Sequence, residues 1–315
     1  MSLKKKILIL ADDRVGTYSQ AEALAQESGL EYEILFLEYN FLTFLPNLFF
    51  SQSIIRLKKS SKLKILSLSY CPNYIISAGR RSAPIALYLK NILLKKYNFG
   101  SKIIQIMRPE INFNKFDFVI IPKHDEPHPP CPSNLILSLG SLCKNNINLD
   151  DNSTFKIIED FKKPIFSLLI GGSSKKTKFT ISSAQKLIDK SLKISQKYNA
   201  SLIILNSRRT DFEINNFIKK TINKDVVFYD YNLLKNNNPY HKIIRISDLF
   251  IISGDSVSMI SECSANASSV LISFLLIPAS LRATVSCVKF GSSGFLIFFG
   301  LRFVQVYGDP LSLNV

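Results

Sequence analysis

The sequence predicts a doubly wound α/β protein of two domains, and three observations carry that prediction. Short, uniformly apolar, β-branched runs alternate with helix-period segments along the chain. Strands apolar at every position are buried on both faces, the pattern of parallel sheets. The alternation runs twice, interrupted by one polar stretch over residues 141–164, and 315 residues exceed the usual size of a single domain.

The first half opens with the strand KILIL, then a helix from about Tyr18 to Ser28 closed by Gly29, then the strand YEILFL. NYIIS follows, with a helix from about Ser82, and then KIIQIM and FDFVIIP. The polar stretch SLCKNNINLDDNSTFKIIEDFKKP sets a boundary, giving domains 1–150 and 151–266. The second half repeats the rhythm: IFSLLI, a helix around 181–198, SLIILN, a helix around 211–222, DVVFYD and DLFIIS. Two open α/β sheets in tandem are expected to bind ligands in a cleft between them, at the carboxyl ends of their strands. Residues 267–315 differ in composition, with four charged residues and one Asn, where the preceding 266 residues are rich in Lys and Asn.

The net charge of +16 invites a nucleic-acid reading, but the lysines are spread over helix-like segments such as KLIDKSLKISQK, the pattern of solvated faces. Nucleic acid is therefore not expected. A basic surface still favours anionic substrates or anionic lipid head groups. Five cysteines without a Cys-x-x-Cys pair suit a reducing, cytoplasmic compartment, and neither a signal-peptide core nor an apolar run of ~18–20 residues is present. The stretch FLTFLPNLFF, followed by SIIRLKK, reads either as an apolar loop packed on the sheet or as a peripheral contact with the inner face of a membrane.

Six strand ends carry polar groups. In ADDRVGTYSQ, Gly16 permits a tight turn and Thr17 or Ser19 can cap the next helix, with Arg14 and Gln20 as further donors to a ligand; a plain helix cap is the alternative. In ISAGRRSAPIA, Gly79, Arg80 and Arg81 open a helix, and two guanidinium forks there suit a carboxylate or phosphate. IIPKHDEP offers His124 and Asp125 as a general base, or only a polar loop, and the spacing of His124, His128 and Cys131 matches no standard zinc site. In LLIGGSSKK, Gly171 and Gly172 let backbone N–H groups approach a diphosphate, with Ser173 and Ser174 as further donors. That loop lacks both the P-loop pattern and the spaced glycines of a dinucleotide fingerprint. LNSRRT places a second arginine pair, Arg208 and Arg209, after another strand. In ISGDSVSMISEC, a helix starting near Asp255 would align Asp255, Ser258 and Glu262 on one face, where carboxylates accept hydrogen bonds from vicinal hydroxyls and repel phosphate.

Taken in order, DDRVGTYSQAEALA, ISAGRRSAPIA, FDFVIIPKHDEP, LLIGGSSKK, NSRRT and NNNPYHKIIRISDLFIISGDSVSMISE resemble the elongated-mitochondria (mitochondrial fission factor) family and its bacterial homologues, from about residue 6 to residue 266. That family is similar to glycosyltransferases of the GT-B architecture, two Rossmann-like domains facing an interdomain cleft. The resemblance implies a nucleotide-sugar on the C-terminal domain: Gly171, Gly172, Ser173 and Ser174 at the diphosphate, Ser207, Arg208 and Arg209 on the nucleotide side, Asp255, Ser256, Ser258 and Glu262 at the ribose or sugar, and Asn238, Pro239 and Tyr240 shaping the loop before them. It implies an acceptor on the N-terminal domain, with His124 or Asp125 as base, and no cofactor or metal. The acceptor expected is an anionic lipid or a membrane-surface group. Plant members are associated with organelle fission through protein partners, so a non-catalytic adapter is the alternative. SANASSVLISFLL departs from the family pattern, and a frameshift near codon 266 is expected to account for residues 267–315.

Overall fold

The computed structural model describes residues 6–47, 50–143, 161–173, 178–223, 225–234, 238–266, 269–273 and 295–299. The chain divides into two compact units, Met1–Lys144 and Asn145–Val315.

Unit 1 contains strands β1 (Lys6–Ala11), β2 (Glu31–Phe36), β3 (Tyr74–Ala78), β4 (Lys102–Ile106), β5 (Phe118–Pro122) and β6 (Leu135–Ser138), with helices α1 (Val15–Glu27), α2 (Lys59–Leu66) and α3 (Gly79–Tyr97). The sheet order is β2-β1-β3-β4-β5-β6 and every described pairing is parallel. Alternation of side chains across β1 splits its apolar residues between two cores. Leu8 and Leu10 join Ile85, Leu89 and Leu93 of α3, whereas Ile7 and Ile9 join Ala21 and Ala25 of α1. Full burial of each such Leu or Ile contributes about 2 kcal/mol. The strand is apolar throughout because both of its faces are covered by helices.

Unit 2 contains β7 (Ile165–Leu169), β8 (Ser201–Leu205), β9 (Val226–Tyr229), β10 (Leu249–Ile252), β11 (Ser269–Ser273) and β12 (Phe295–Phe299), with α4 (Ile181–Lys197), α5 (Phe212–Thr221), α6 (Tyr240–Ile246) and α7 (Val257–Asn266). Its order is β12-β11-β10-β7-β8-β9, again with parallel pairings. Phe166, Leu168 and Ile204 pack on one face with α4 and α5, and Leu169, Ile203 and Ile252 pack on the other with α6 and α7. Both units are therefore doubly wound and Rossmann-like.

The two strand orders locate the ligand-binding ends. Counted within unit 2, the order is the 3-2-1-4-5-6 of dinucleotide-binding folds, reversing between β7 and β10. Unit 1 follows the flavodoxin-like 2-1-3-4-5 order and reverses between β1 and β3. Loops leaving these four strands diverge to opposite faces of their sheet and leave a crevice at the carboxyl edge.

Three local expectations are corrected. Helix α1 begins at Val15, so Thr17 and Ser19 lie inside it and cap nothing; the turn is made instead by Asp12, whose Oδ1 accepts from the Arg14 N–H at 3.0 Å. Helix α7 begins at Val257, so Asp255 precedes it and shares no helical face with Ser258 and Glu262. In FLTFLPNLFF the short 3-10 turn Phe41–Phe44 leaves Phe41 and Phe44 76% and 69% exposed while burying Thr43 and Asn47. Asn47 ties the stretch to its unit, its Nδ2 donating to the Arg80 and Pro109 carbonyls at 2.7 and 2.6 Å.

Candidate functional site

At the switch point of unit 2 three strand ends meet, and Asp255 is the hub. After β10 its carboxylate is 1% exposed; Oδ2 accepts from the Gly172 N–H at 3.0 Å and from Arg209 Nη2 at 2.8 Å, and Oδ1 accepts from Ser253 Oγ at 2.6 Å. Ser253 Oγ accepts in turn from the Gly171 N–H at 2.7 Å. The two glycines are dictated by this packing: a Cβ on Gly171 would collide with the Asp255 carboxylate, and one on Gly172 with the Arg209 carbonyl. The Gly171 carbonyl accepts from Ser207 Oγ at 2.8 Å and from Thr210 Oγ1, and Ser207 Oγ also receives the Arg209 N–H at 3.2 Å.

In this arrangement two of the expected ligand groups have partners within the chain. The Gly171 and Gly172 N–H groups are aimed at Ser253 and Asp255, because a buried carboxylate three residues past β10 is a stronger acceptor than solvent. The Asp255 carboxylate is paired with Arg209 at 2.8 Å and is 1% exposed, so its acceptors are engaged within the chain. Facing outward are Ser173, whose Oγ donates to Asp211 Oδ2 at 3.3 Å, and the exposed Arg208. Ser174 lies outside the described residues. Ser256 and Ser258 are half-buried at the start of α7. Asn238 Oδ1 accepts the Tyr240 N–H at 3.0 Å, and the Tyr240 hydroxyl donates to Glu262 Oε2 at 2.7 Å. Burial pushes the Glu262 carboxyl above its usual range, and the Tyr240 bond only partly offsets this.

Spacing gave no sign of the residues behind this surface. Asn206, buried at the end of β8, donates to Asn215 and Asp230 and receives the Tyr231 N–H at 2.6 Å. Burial raises the Asp230 carboxyl, but Lys219 at 2.8 Å, Asn206 and the Asn232 N–H outweigh it and hold the group below its usual range.

In unit 1 the loops after β1 and β3 bring together Asp12, Arg14 and Arg81. Arg81 Nη1 lies 3.0 Å from Asp13 and 3.9 Å from the buried Asp12, and its guanidinium stands 5.8 Å from the Tyr39 ring centroid. Desolvation pushes the Asp12 carboxyl up, against the opposing pull of the Arg14 N–H and charge. Gly79, at φ +73°, opens α3, and a Cβ there would stand 3.3 Å from Thr17 Cγ2. Gln20 Nε2 donates to the Gly16 carbonyl at 2.9 Å, which turns it into the helix and away from a ligand. Arg80 is tied to the Leu45 carbonyl at 3.2 Å and to Glu110 at 3.6 Å.

Beneath them lies Arg56, 0% exposed, its Nη2 donating to the carbonyls of Leu45 and Pro46 and its Nη1 to Asn47. Arg56, Asn47 and Tyr39 fall in or beside an apolar run, where no spacing marks them. Asp125 is exposed in the turn after β5, two strands from β3, with its carbonyl accepting from Arg108 Nε at 2.8 Å; the His124 side chain lies outside the described residues. At strand spacing that is about 10 Å along the sheet from the switch point, so the structure does not join this pair to Arg14 and Arg81.

Comparison with known proteins decides the family. The family model for mitochondrial fission ELM1 matches residues 15–298. The chain belongs to the mitochondrial fission ELM1 family. The match continues past residue 266 through β11 and β12, so the likeness to the ELM1 family does not stop where the composition changes. An uncharacterized protein of Rickettsia prowazekii (strain Madrid E) is 30% identical over 297 residues, covering 84% of this chain and 82% of its own. The mitochondrial fission protein ELM1 of Arabidopsis thaliana is 23% identical over 224 residues, covering 64% of this chain and about half, 51%, of its own length.

Two solved structures share the fold. S. aureus MnaA in complex with UDP has a TM-score of 0.51 at 12% identity, covering 92% of this chain and 84% of its own. The UDP-GlcNAc 2-epimerase of Neisseria meningitidis bound to UDP-GlcNAc has a TM-score of 0.50 at 13% identity, covering 92% and 88%. The chain thus has the paired Rossmann-like units of GT-B folds. No helix among the described residues is long and apolar enough to cross a membrane.

Proposed function

We propose that this ELM1-family chain is a nucleotide-sugar-dependent, glycosyltransferase-like protein, with unit 2 taking the donor and unit 1 the acceptor. The observation that carries the reading is the gathering of Gly171 to Ser173, Ser207 to Arg209 and Asp255 on β7, β8 and β10, where the order of unit 2 reverses. Folds of this order bind nucleotides there, and the two solved neighbours carry UDP and UDP-GlcNAc in that architecture. The diphosphate meets Ser173, Ser174, Arg208 and the outward N–H groups of Arg209, while Asp255 keeps Arg209 and the Gly171–Gly172 turn in place. Ser256, Ser258 and the Tyr240–Glu262 pair serve the ribose or sugar hydroxyls.

In the transfer, an acceptor hydroxyl gives its proton to His124 or Asp125 as its oxygen bonds to the anomeric carbon. The bond from that carbon to the diphosphate breaks, and the arginines take up the leaving charge. The acceptor class that fits the basic surface is an anionic lipid or other membrane-surface group. Thermal shift against UDP-, GDP- and CMP-sugars tests the donor assignment. One class is expected to raise the midpoint, and no response from any of them overturns the reading.

A second reading is favoured by one observation: the Gly171 and Gly172 N–H groups are already bonded within the chain, so the loop is complete without a ligand. A non-catalytic adapter predicts no nucleotide affinity and a protein partner recovered by pull-down. The change of composition after residue 266 is a separate proposal of a shifted reading frame. The coding DNA decides it, since the idea fails if neither alternative frame restores a basic, His-bearing continuation.

A further inference from the structure

At the switch point of unit 1 two buried donors lack a partner among the described residues. The Tyr39 hydroxyl and the Arg81 Nε–H are buried and have no hydrogen-bond partner among the described residues. Both are close to the same charges: Asp12 and Arg81 are the groups that Tyr39 feels most strongly. A buried hydroxyl or guanidinium N–H without an acceptor costs about as much as a lost hydrogen bond, so two beside each other call for an explanation.

The charges point the same way. Partial burial and then repulsion from Arg81 hold the Arg14 guanidinium below its ordinary range, with Arg81 acting on it more strongly than either Asp12 or Asp13. Arg14 carries no side-chain hydrogen bond or ion pair among the described residues. Asp12 and Asp13 stand beside the two guanidinium groups, but their ion pairs are made with Arg81 and leave Arg14 without a direct partner among the described residues. Directly below them α3, 19 residues long, begins at Gly79 with no side chain capping its first turn. Free N–H groups at the start of a long helix add positive potential.

We propose that unit 1 holds a phosphoryl group between Arg14 and Arg81, with the Tyr39 hydroxyl as a third donor and the first turn of α3 beneath it. A tetrahedral oxyanion has acceptors in enough directions to take all of these, whereas a planar carboxylate serves one fork. Asp13 is the carboxylate that competes for Arg81. It is 76% exposed on its side chain and turns out to solvent when the anion enters. Asp12 also faces the site, its carboxyl pushed up by burial and tied to the Arg14 N–H at 3.0 Å. The site is built within unit 1 and stands whether or not unit 2 binds a nucleotide.

Calorimetric titration of inorganic phosphate into the full chain tests it. Saturable binding is expected, weakened roughly ten- to a hundredfold by Arg14→Gln and about fivefold by Tyr39→Phe, which keeps the ring on Arg81. Arg14 is exposed and Tyr39→Phe keeps its volume, so both variants are expected to fold, which a melting curve checks. Arg245→Gln, on the exposed face of α6, controls for general attraction by the net charge of +16. Absence of saturable binding, or equal loss in Arg245→Gln, overturns the proposal. Flotation with phosphatidylcholine vesicles containing phosphatidic acid distinguishes the sources. Binding that Arg14→Gln weakens assigns the phosphoryl group to a lipid, and phosphate binding without flotation assigns it to a soluble ester.

Discussion

The two switch points are built on the same plan and handle their polar groups in opposite ways. In unit 2 a buried carboxylate, Asp255, is surrounded by donors from three strand ends, and the turn after β7 is closed by its own side chains. Among the described residues of unit 1 the buried carboxylate, Asp12, has one backbone donor and a guanidinium at 3.9 Å, while the Tyr39 hydroxyl and Arg81 Nε–H have no partner. The first arrangement holds its loop rigid before any ligand arrives. The second leaves two buried donors without an acceptor among the described residues, which the proposed phosphoryl group would supply.

The glycines offer the strongest way to break this comparison. Gly171→Ala and Gly172→Ala drive a methyl group into the Asp255 carboxylate and the Arg209 backbone, and each is expected to cost about 3 kcal/mol or more in urea denaturation. Gly79→Ala meets Thr17 only at 3.3 Å and is expected to cost about 1–2 kcal/mol, mainly from its positive φ. Equal effects at the three positions would mean that the turn of unit 2 is not closed as described.

Next in size is the hub itself. Asp255→Ala removes acceptors from Gly172, Arg209 and Ser253 together and is expected to lower stability by about 2–3 kcal/mol, measured by the same titration. Asp12→Asn should be near neutral at pH 7, because the variant sheds a carboxylate that burial disfavours.

The pH dependence sharpens the contrast, since Asp12 and Asp230 carry opposite signs. Asp12 is raised above 3.8 in the folded chain, so its ionised form costs stability above the folded pKa, and that cost vanishes as pH falls below 3.8. Asp230 is lowered, so it contributes stability above 3.8 that is lost as pH falls through its folded pKa. Relative to their Asn variants, the protein should therefore gain stability on acidification through Asp12 and lose it through Asp230. Parallel curves for the two pairs would contradict the burial assigned to Asp12.

The sequence made the sheets legible because their strands are buried on both faces, and apolar runs such as KILIL and IFSLLI have no other use in a chain of this size. Strand ends were legible as positions, through Gly-Gly, Gly-Arg-Arg and Asp-Asp-Arg. Their wiring was not. Nothing in the spacing of Gly171 and Gly172 says that their N–H groups answer to Ser253 and Asp255, 82 and 83 residues on. Arg56 and Asn47 were hidden for a related reason: a polar residue buried in an apolar run has the same local pattern as an exposed one. Such partners are set by tertiary approach, which periodicity does not encode.

The central claim is that the strand ends of unit 2, and not those of unit 1, receive the nucleotide diphosphate of a sugar donor. Calorimetric titration of UDP-GlcNAc, a GDP-sugar and a CMP-sugar into the wild-type chain and into Arg208→Gln and Arg14→Gln tests it most directly. The account predicts saturable heat with one nucleotide class, affinity lower by about tenfold in Arg208→Gln, and no change in Arg14→Gln. Absence of saturable heat with all three, or a loss confined to Arg14→Gln, would contradict it.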